Sequence, residues 1–348
     1  MSQVMTVTGA VSPEQLGVTM CHVHVLLNLL CQQTPAREAS RMALADKPLT
    51  MDILGIVRRD AGLVKDNLIL GDIDEAIAEL MQYKMAGGST VIEVGVPGIG
   101  RDPVGLARVS RATGLNIVCS TGMYIARAHP PYVKKKSIDD LCRQMVQEIT
   151  EGIGNSGIRA GAIKVAMSGR SAEEPFTEDE EKILRAAARA QARTGVPLTV
   201  HPNFQGKHWS TYLDIVAKEG ADLNKFFASH MEFYSPDTEY QKSVLERGVY
   251  VSFDQFGHEE YMDGAAPGSS FPPDKYRVNS ILELVKAGYA NRIVLANEIA
   301  IKCGYRKYGG HGYGHVLENI VPELRYKGVT EEQINAMLVE NPKRLLAV

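Results

Sequence analysis

The sequence predicts an α/β fold, a (β/α)8 TIM barrel that forms a single domain over residues 1–348. Two observations carry this prediction: short segments rich in β-branched residues alternate with amphipathic segments, and there are eight of the β-branched segments. Strands and helices in alternation give parallel strands joined by right-handed crossovers, and eight such units close into a barrel. The predicted strands are 17–25, 90–94, 116–119, 160–166, 197–201, 225–229, 249–253 and 292–296.

An open doubly wound sheet is the competing architecture. Sheets of that kind that bind dinucleotides carry a G-x-G-x-x-G motif directly after a strand. Gly95, Gly98 and Gly100 follow the second predicted strand, but their spacing does not match the motif, and no G-x-G-x-x-G follows any other predicted strand. The sequence therefore favours the barrel.

The connection from residue 26 to residue 71 separates the first strand from a helix predicted over 72–85. It is far longer than the loops of about 2 to 6 residues that usually join a strand to the next helix. Because long structureless loops are uncommon in compact domains, this length predicts a folded insertion or a lid over the site.

The clearest helix is predicted over residues 178–193, where apolar residues recur every three or four positions. Thr177 and Glu180 form an S/T-x-x-E capping box at its start. Gly195 suits the residue that follows a helix, and Pro197 prevents the helix from continuing. These signals predict both ends of the helix.

The composition excludes some functional classes. Lys and Arg total 38 and Asp and Glu total 41, a formal charge of −3 that disfavours nucleic-acid and membrane binding. The five cysteines form no C-x-x-C pair, which indicates reduced thiols. With no signal-peptide pattern and no apolar stretch long enough to span a membrane, we expect a cytoplasmic protein whose partner is a small-molecule substrate.

Several residues with metal-binding side chains lie on or after the predicted strands. Side chains at alternating strand positions share a face, so His22 and His24 point to the same side and could share a cation. His201, His230 and Glu298 end the fifth, sixth and eighth strands, whose carboxyl ends meet at the mouth of a barrel. The alternative is that each is an ordinary buried or strand-ending residue, but their convergence favours a metal site.

Lys164 lies in an apolar strand, where a lone ammonium group is costly to bury. One interpretation is an ion pair with a carboxylate such as Glu93 across the barrel. The other is that burial favours the neutral amine, which reacts with CO2 to give a carbamate whose two oxygens bridge two cations.

This set of residues resembles the phosphotriesterase family of the amidohydrolase superfamily, in its phosphotriesterase-related and lactonase-like branch. The likeness covers nearly the whole chain, because several further blocks occur in the order typical of the family. These blocks are residues 11–17, 100–102, 121–124 with 129–130, 308–313 and 341–346.

The resemblance implies two divalent cations per chain, with Zn²⁺ the first choice and Mn²⁺, Co²⁺ or Fe²⁺ as alternatives. It implies that Lys164 is N-carboxylated and bridges the cations, and that a metal-bridging hydroxide is the nucleophile. Glu298 would take the proton from the hydroxide and pass it to the leaving group, although the family normally has Asp there. The six implied ligands are His22, His24, Lys164, His201, His230 and Glu298.

Other residues could shape the substrate pocket. Tyr124 resembles a tyrosine that related lactonases place near the second metal, or it is an aromatic residue that fills the barrel mouth. Lys302, Arg306 and His311 lie in the loop after strand eight and could bind an acidic group of the substrate, or be solvated surface. Asp254 could orient a metal ligand or cap the loop that follows it.

The sequence leaves three functions open. The first is a binuclear metal-dependent hydrolase that cleaves a carboxyl ester, a lactone or an amide of the N-acyl amino acid type. The second is a phosphotriesterase acting on organophosphate triesters, which needs the same machinery and a roomier pocket. The third is a binding protein that has kept the barrel and lost catalysis. The resemblance also implies a homodimer.

Overall fold

The computed structural model describes residues 2–36, 38–264 and 267–348. Eight parallel strands form one sheet, follow each other in chain order and curl into a nearly closed barrel in which the last strand contacts the first. The predicted (β/α)8 TIM barrel is therefore confirmed. The strands are β1 Thr19–Val23, β2 Thr90–Glu93, β3 Asn116–Met123, β4 Ala162–Ala166, β5 Leu198–His201, β6 Phe226–Ala228, β7 Tyr250–Phe253 and β8 Ile293–Leu295.

A helix follows each barrel strand and covers the outside of the sheet. These helices are α1 Ile73–Met85, α2 Pro103–Thr113, α3 Ile138–Thr150, α4 Glu178–Thr194, α5 Trp209–Lys218, α6 Thr238–Leu245, α7 Asp274–Lys286 and α8 Val321–Tyr326, which continues the π-helical turn Val316–Ile320. Further short helices span Ala39–Met42, Leu54–Val57, Glu331–Asn335 and Asn341–Leu346. Within the described ranges, no helix is both long enough and apolar enough to span a bilayer.

The ends of α4 agree with the signals read from the sequence. The Thr177 side chain accepts from the Glu180 backbone and the Glu180 side chain accepts from the Thr177 backbone, which is the predicted capping box. Gly195 ends the helix in the left-handed conformation, with φ of 73°. The helix therefore begins where the sequence predicts and extends one residue beyond the predicted end.

The long connection after β1 is folded against the barrel. Its two ends are joined by an antiparallel pair of short strands, Leu27–Asn28 and Ile69–Leu70. Near its middle, the helix Leu54–Val57 buries its leucine and valine side chains. The backbone carbonyl of Arg58 accepts from the Tyr261 amide at 2.9 Å, which ties the connection to the loop after β7. A role as a moving lid stays a prediction.

The interior of the barrel carries polar side chains toward the carboxyl ends of its strands. His22, Lys164 and Asp254 are all less than 2% exposed, although each bears an ionisable group. Charged side chains are buried only where they are paired or hydrogen-bonded to one another or bind a metal. This end of the barrel is therefore where a functional site is expected.

Candidate metal centre

The two histidines from β1 meet the carboxylate that follows β8. Strand alternation turns both His22 and His24 toward the barrel interior, with ring centroids 6.3 Å apart. Glu298 Oε1 lies 2.9 Å from His22 Nε2 and 3.0 Å from His24 Nε2. Glu298 thus shares one oxygen between two imidazoles.

Lys164 enters the same group from β4. Its Nζ lies 2.9 Å from His22 Nε2, and its side chain is buried. Burial lowers the pKa of Lys164 to about 8, against the opposing effect of the Glu298 carboxylate. Glu93 lies instead beside His24, with Oε1 3.7 Å from His24 Nδ1. An ion pair between Lys164 and Glu93, the alternative left open by the sequence, is not present among the described residues.

His201 and His230 lie on the other side of the group. His201 Nδ1 is 3.0 Å from His230 Nε2, and the His230 ring centroid is 4.7 Å from that of His22. Burial lowers the pKa of both His201 and His230. Both rings are therefore neutral at pH 7, the form in which imidazole binds metals.

His230 has a strained backbone. Its φ of 61° and ψ of 38° lie in the left-handed region, and among the described residues it is the only one other than glycine with positive φ. The sequence predicted that His230 directly follows a strand, and β6 ends two residues earlier at Ala228. Strained backbone of this kind is concentrated at functional sites, where surrounding contacts hold it.

Asp254, which follows β7, contacts two of these histidines at their Nδ1 atoms. Its Oδ1 lies 2.5 Å from His230 Nδ1 and its Oδ2 lies 3.3 Å from His22 Nδ1. Burial opposes ionisation of Asp254, but the imidazoles of His230 and His22 hold its pKa below the usual range. A carboxylate that accepts from Nδ1 leaves Nε2 free to face the centre. These contacts favour the orienting role over loop capping.

The side chains gathered here fit a divalent cation. Ligand atoms of His22, His230 and Glu298 lie within 4.8 Å of one another, and all three residues are buried. Imidazole and carboxylate donors in this combination suit Zn²⁺ and related ions. In addition, His24 Nδ1 and Glu93 Oε1 are buried without a hydrogen-bond partner. His24 and His201 lie outside the group of three and contact it through Glu298 and His230.

Two residues that the sequence analysis did not identify also contact Glu298. Gln255 donates its side-chain amide to Glu298 Oε2, and His258 Nε2 contacts the backbone carbonyl of Glu298. Gln255 follows Asp254 directly at the end of β7, and position after a barrel strand was the only signal that could have identified it.

A cavity of about 500 Å³ lies beside Glu298. Three segments line it: the long connection after β1, the loop after β7 and the loop after β8. The lining residues that carry charge or can do so are Arg58, Arg59, His258, Glu259, Glu260, Glu298 and His311.

Of the four residues predicted to bind substrate, His311 lines this cavity. Lys302 forms an ion pair with Asp66 instead, and Arg306 forms one with Glu318. Neither lies in the described lining, so the structure gives no support to their predicted role. The positive charge of each side chain is instead paired with a carboxylate on another segment.

Tyr124 is buried beside the histidines but outside the described lining of the cavity. Its ring meets that of His201 edge to face, with centroids 5.6 Å apart, and its hydroxyl accepts from Gln32 Nε2 at 3.2 Å. Burial raises the pKa of Tyr124, so its hydroxyl stays protonated at neutral pH. It can serve as a hydrogen-bond donor at the centre.

Comparisons with a family model and with individual proteins agree with each other. The model of the phosphotriesterase family matches residues 2–346. A phosphotriesterase-related protein of Nematostella vectensis is 35% identical over 345 residues, which is 98% of this chain and 97% of the relative. The N-acetyltaurine hydrolase of Danio rerio is 33% identical over 346 residues, 99% of this chain and 97% of the relative.

Solved structures share the architecture. A resiniferatoxin-binding protein from Rhodobacter sphaeroides superposes with a TM-score of 0.94 at 36% identity, covering 99% of this chain and 94% of the other. A mutant of a phosphotriesterase-like lactonase from Deinococcus radiodurans superposes with a TM-score of 0.76 at 29% identity, covering 99% of each chain.

Proposed function

Because the chain belongs to the phosphotriesterase family and is a hydrolase, we propose that it uses two divalent cations to cleave the amide bond of an N-acyl amino acid or a related N-acyl compound. The observation that carries this proposal is the meeting of Glu298 with two imidazoles beside a cavity of about 500 Å³. Cavities of this size hold small organic molecules.

The proposed ligands come from five of the eight strands or from the loops that directly follow them. His22, His24 and Glu298 would hold one cation, since both imidazoles contact the same carboxylate oxygen, Glu298 Oε1. His201 and His230 would hold the other. Lys164, N-carboxylated on its amine, would bridge the two. Burial lowers the pKa of Lys164 to about 8, which increases the fraction of neutral amine that this modification requires.

Two cations at this place would polarise the substrate carbonyl and lower the pKa of water toward neutrality. Around them, Asp254 keeps His230 oriented through its Nδ1. His22 Nδ1 is held by Ser229 Oγ at 2.9 Å, with Asp254 Oδ2 at 3.3 Å. Glu298 accepts a proton from the attacking water and delivers it to the leaving nitrogen, as the carbon–nitrogen bond breaks and a carbon–oxygen bond forms. Gln255 holds the second oxygen of Glu298 during this exchange.

The N-acyl amide is preferred because N-acetyltaurine hydrolase relatives align with nearly the whole chain. A lactone is the second candidate, since a lactonase shares the fold at 29% identity. Both substrates present a carbonyl to the same centre. Organophosphate triesters remain the alternative that demands most room, because three substituents surround the phosphorus.

A metal analysis tests the cofactor first. We expect purified protein supplied with zinc and bicarbonate to hold about two zinc ions per chain and to lose hydrolysis after chelation. Lys164→Ala should lose the second ion. The matched control is Lys218→Ala, because Lys218 is exposed on α5, outside the centre. Protein that holds no zinc and hydrolyses nothing would favour a binding protein.

A hydrolysis screen then tests the substrate. N-acetyltaurine, N-acetyl amino acids, lactones and an aryl phosphotriester are compared by kcat/KM with the zinc-loaded protein. We expect the N-acyl compounds to give the highest values. A lactone or a phosphotriester exceeding them by tenfold or more would replace the proposed substrate class with that one.

A further inference from the structure

Among the described residues that line the cavity beside Glu298, one arginine is not paired with a carboxylate. Arg59 forms an ion pair with Asp263 at 2.8 Å and lies over the Tyr261 ring. Arg58 differs, since among the described residues it forms no ion pair and its Nη2 donates only to the Gly309 carbonyl, at 2.7 Å. Its guanidinium keeps free donors at the cavity wall.

The carboxylates of the same wall are already engaged. Glu260 lies 3.2 Å from His258 Nδ1. Glu259 accepts at 2.9 Å from the backbone amide of Asp274, the first residue of α7, where the helix dipole favours a negative charge. Neither is paired with Arg58, so an anion brought into the cavity would find the guanidinium available.

The position of Glu298 indicates which half of a substrate would enter this cavity. Glu298 lines the cavity and, in the proposed function, delivers the proton to the leaving nitrogen. The leaving amine therefore faces the cavity, and whatever it carries extends toward its walls. A small acyl group remains at the other side of the carbonyl.

Resting on the proposed function, we propose that Arg58 binds an anionic oxyacid group, a carboxylate or a sulfonate, on the amine half of the substrate. The guanidinium fork matches both groups, because each offers two oxygens to parallel N–H donors. The substrate class is thus an N-acyl amino acid or an N-acyl aminosulfonate, and Arg58, carried by the long connection after β1, is its specificity residue.

The test compares N-acetyl-β-alanine with its uncharged terminal amide, and with N-acetyltaurine as the sulfonate. Arg58→Met keeps the aliphatic stem and removes the charge. We expect its kcat/KM to fall about 10- to 100-fold on both acids, mainly through KM, and to change little on the amide. Arg58→Lys should recover part of the loss. Arg111→Met, an exposed arginine on α2 outside the described cavity lining, is the matched control.

Each outcome decides the proposal. An equal loss on acids and amide, or an unchanged preference for the acids, would overturn the role of Arg58. The ratio of kcat/KM for the two acids tells which oxyacid is preferred.

If no N-acyl compound is hydrolysed, the proposed function fails, and calorimetric titration with N-acetyltaurine still tests the anion site. Binding that Arg58→Met abolishes would support the site, and absence of binding to the native protein would refute it.

Discussion

Asp254 Oδ1 lies 2.5 Å from His230 Nδ1, and both side chains are 0% exposed. The carboxylate fixes which ring nitrogen carries the proton, and so leaves the other nitrogen free for a cation. This contact makes Asp254 part of the centre, although it is not one of the six proposed ligands.

Asp254→Asn should therefore weaken zinc binding while the fold is kept. The amide keeps the shape of the side chain but loses the charge that holds the proton on His230 Nδ1, and we expect affinity to fall about 10- to 100-fold. Zinc retained after dialysis against a graded chelator measures this. Asp214→Asn, which removes an exposed carboxylate paired with Arg247, is the control. Equal retention in both variants would show that Asp254 does not orient the ligand.

Glu298 and Gln255 should be energetically coupled. Gln255 binds Oε2 of Glu298 while Oε1 contacts His22 and His24. An aspartate at this position is one methylene shorter and cannot keep all these contacts. We expect Glu298→Asp and Gln255→Leu each to weaken zinc binding about 10-fold, because each loses the same hydrogen bond to a charged group.

A double-mutant cycle distinguishes this coupling from two separate effects. If the shared contact is what matters, the Glu298→Asp and Gln255→Leu double variant should bind zinc about as tightly as either single variant. Zinc affinities by competition with a fluorescent chelator provide the measurement. Losses that multiply in the double variant would mean that Gln255 acts independently of Glu298.

The fold could be predicted from the sequence because its signals are local. Each barrel strand falls within or overlaps a predicted segment, and the ends of α4 follow from Thr177, Glu180 and Gly195. β3 continues to Met123, four residues past its predicted end, since pairing with β4 extends through that part of the sheet. Where a strand ends thus depends on its neighbour, which local patterns do not describe.

The site could be predicted only in part, for the same reason. Strand alternation is enough to bring His22 and His24 to one face, and position at strand ends is enough to bring Glu298 near them. Lys302 and Arg306 have suitable charges, but Lys302 pairs with Asp66, 236 residues away in the sequence, and Arg306 pairs with Glu318, 12 residues further along the chain. Arg58 lies in the long connection after β1, and only the folded path of that segment brings it to the cavity.

The carbamate on Lys164 should form faster as pH rises from 7 to 9. Only the neutral amine reacts with CO2, and a pKa of about 8 makes its fraction about 0.1 at pH 7 and about 0.9 at pH 9. At a fixed concentration of dissolved CO2 we expect the carbamate to form about ten times faster at pH 9 than at pH 7. The measurement starts with metal-free protein, adds zinc and ¹³C-labelled CO2, and follows the carbamate signal by NMR. Lys164→Ala should give no such signal. A rate that does not change with pH would contradict the proposed neutral amine.

Glu180 joins three segments at the base of the loops that surround the centre. Its side chain is fully buried. Oε1 accepts from the Ala126 amide at 2.8 Å and from the Ser168 amide and hydroxyl at 3.1 and 2.6 Å, while Oε2 accepts from the Thr177 amide at 2.8 Å. Glu180→Ala would leave several buried donors without a partner, each at a cost of about 1 to 3 kcal/mol.

We therefore expect Glu180→Ala to lower the free energy of unfolding by about 3 kcal/mol or more, measured by urea denaturation with the slope m compared between variants. Glu178→Ala, at an exposed position in the same first turn, should change it by less than about 0.5 kcal/mol. Glu180→Gln should fall between them, because one side-chain oxygen still accepts while the other becomes an amide donor facing donors. If Glu180→Ala were as stable as Glu178→Ala, water would have to replace the lost carboxylate, and the buried hydrogen bonds would contribute little to joining the loops.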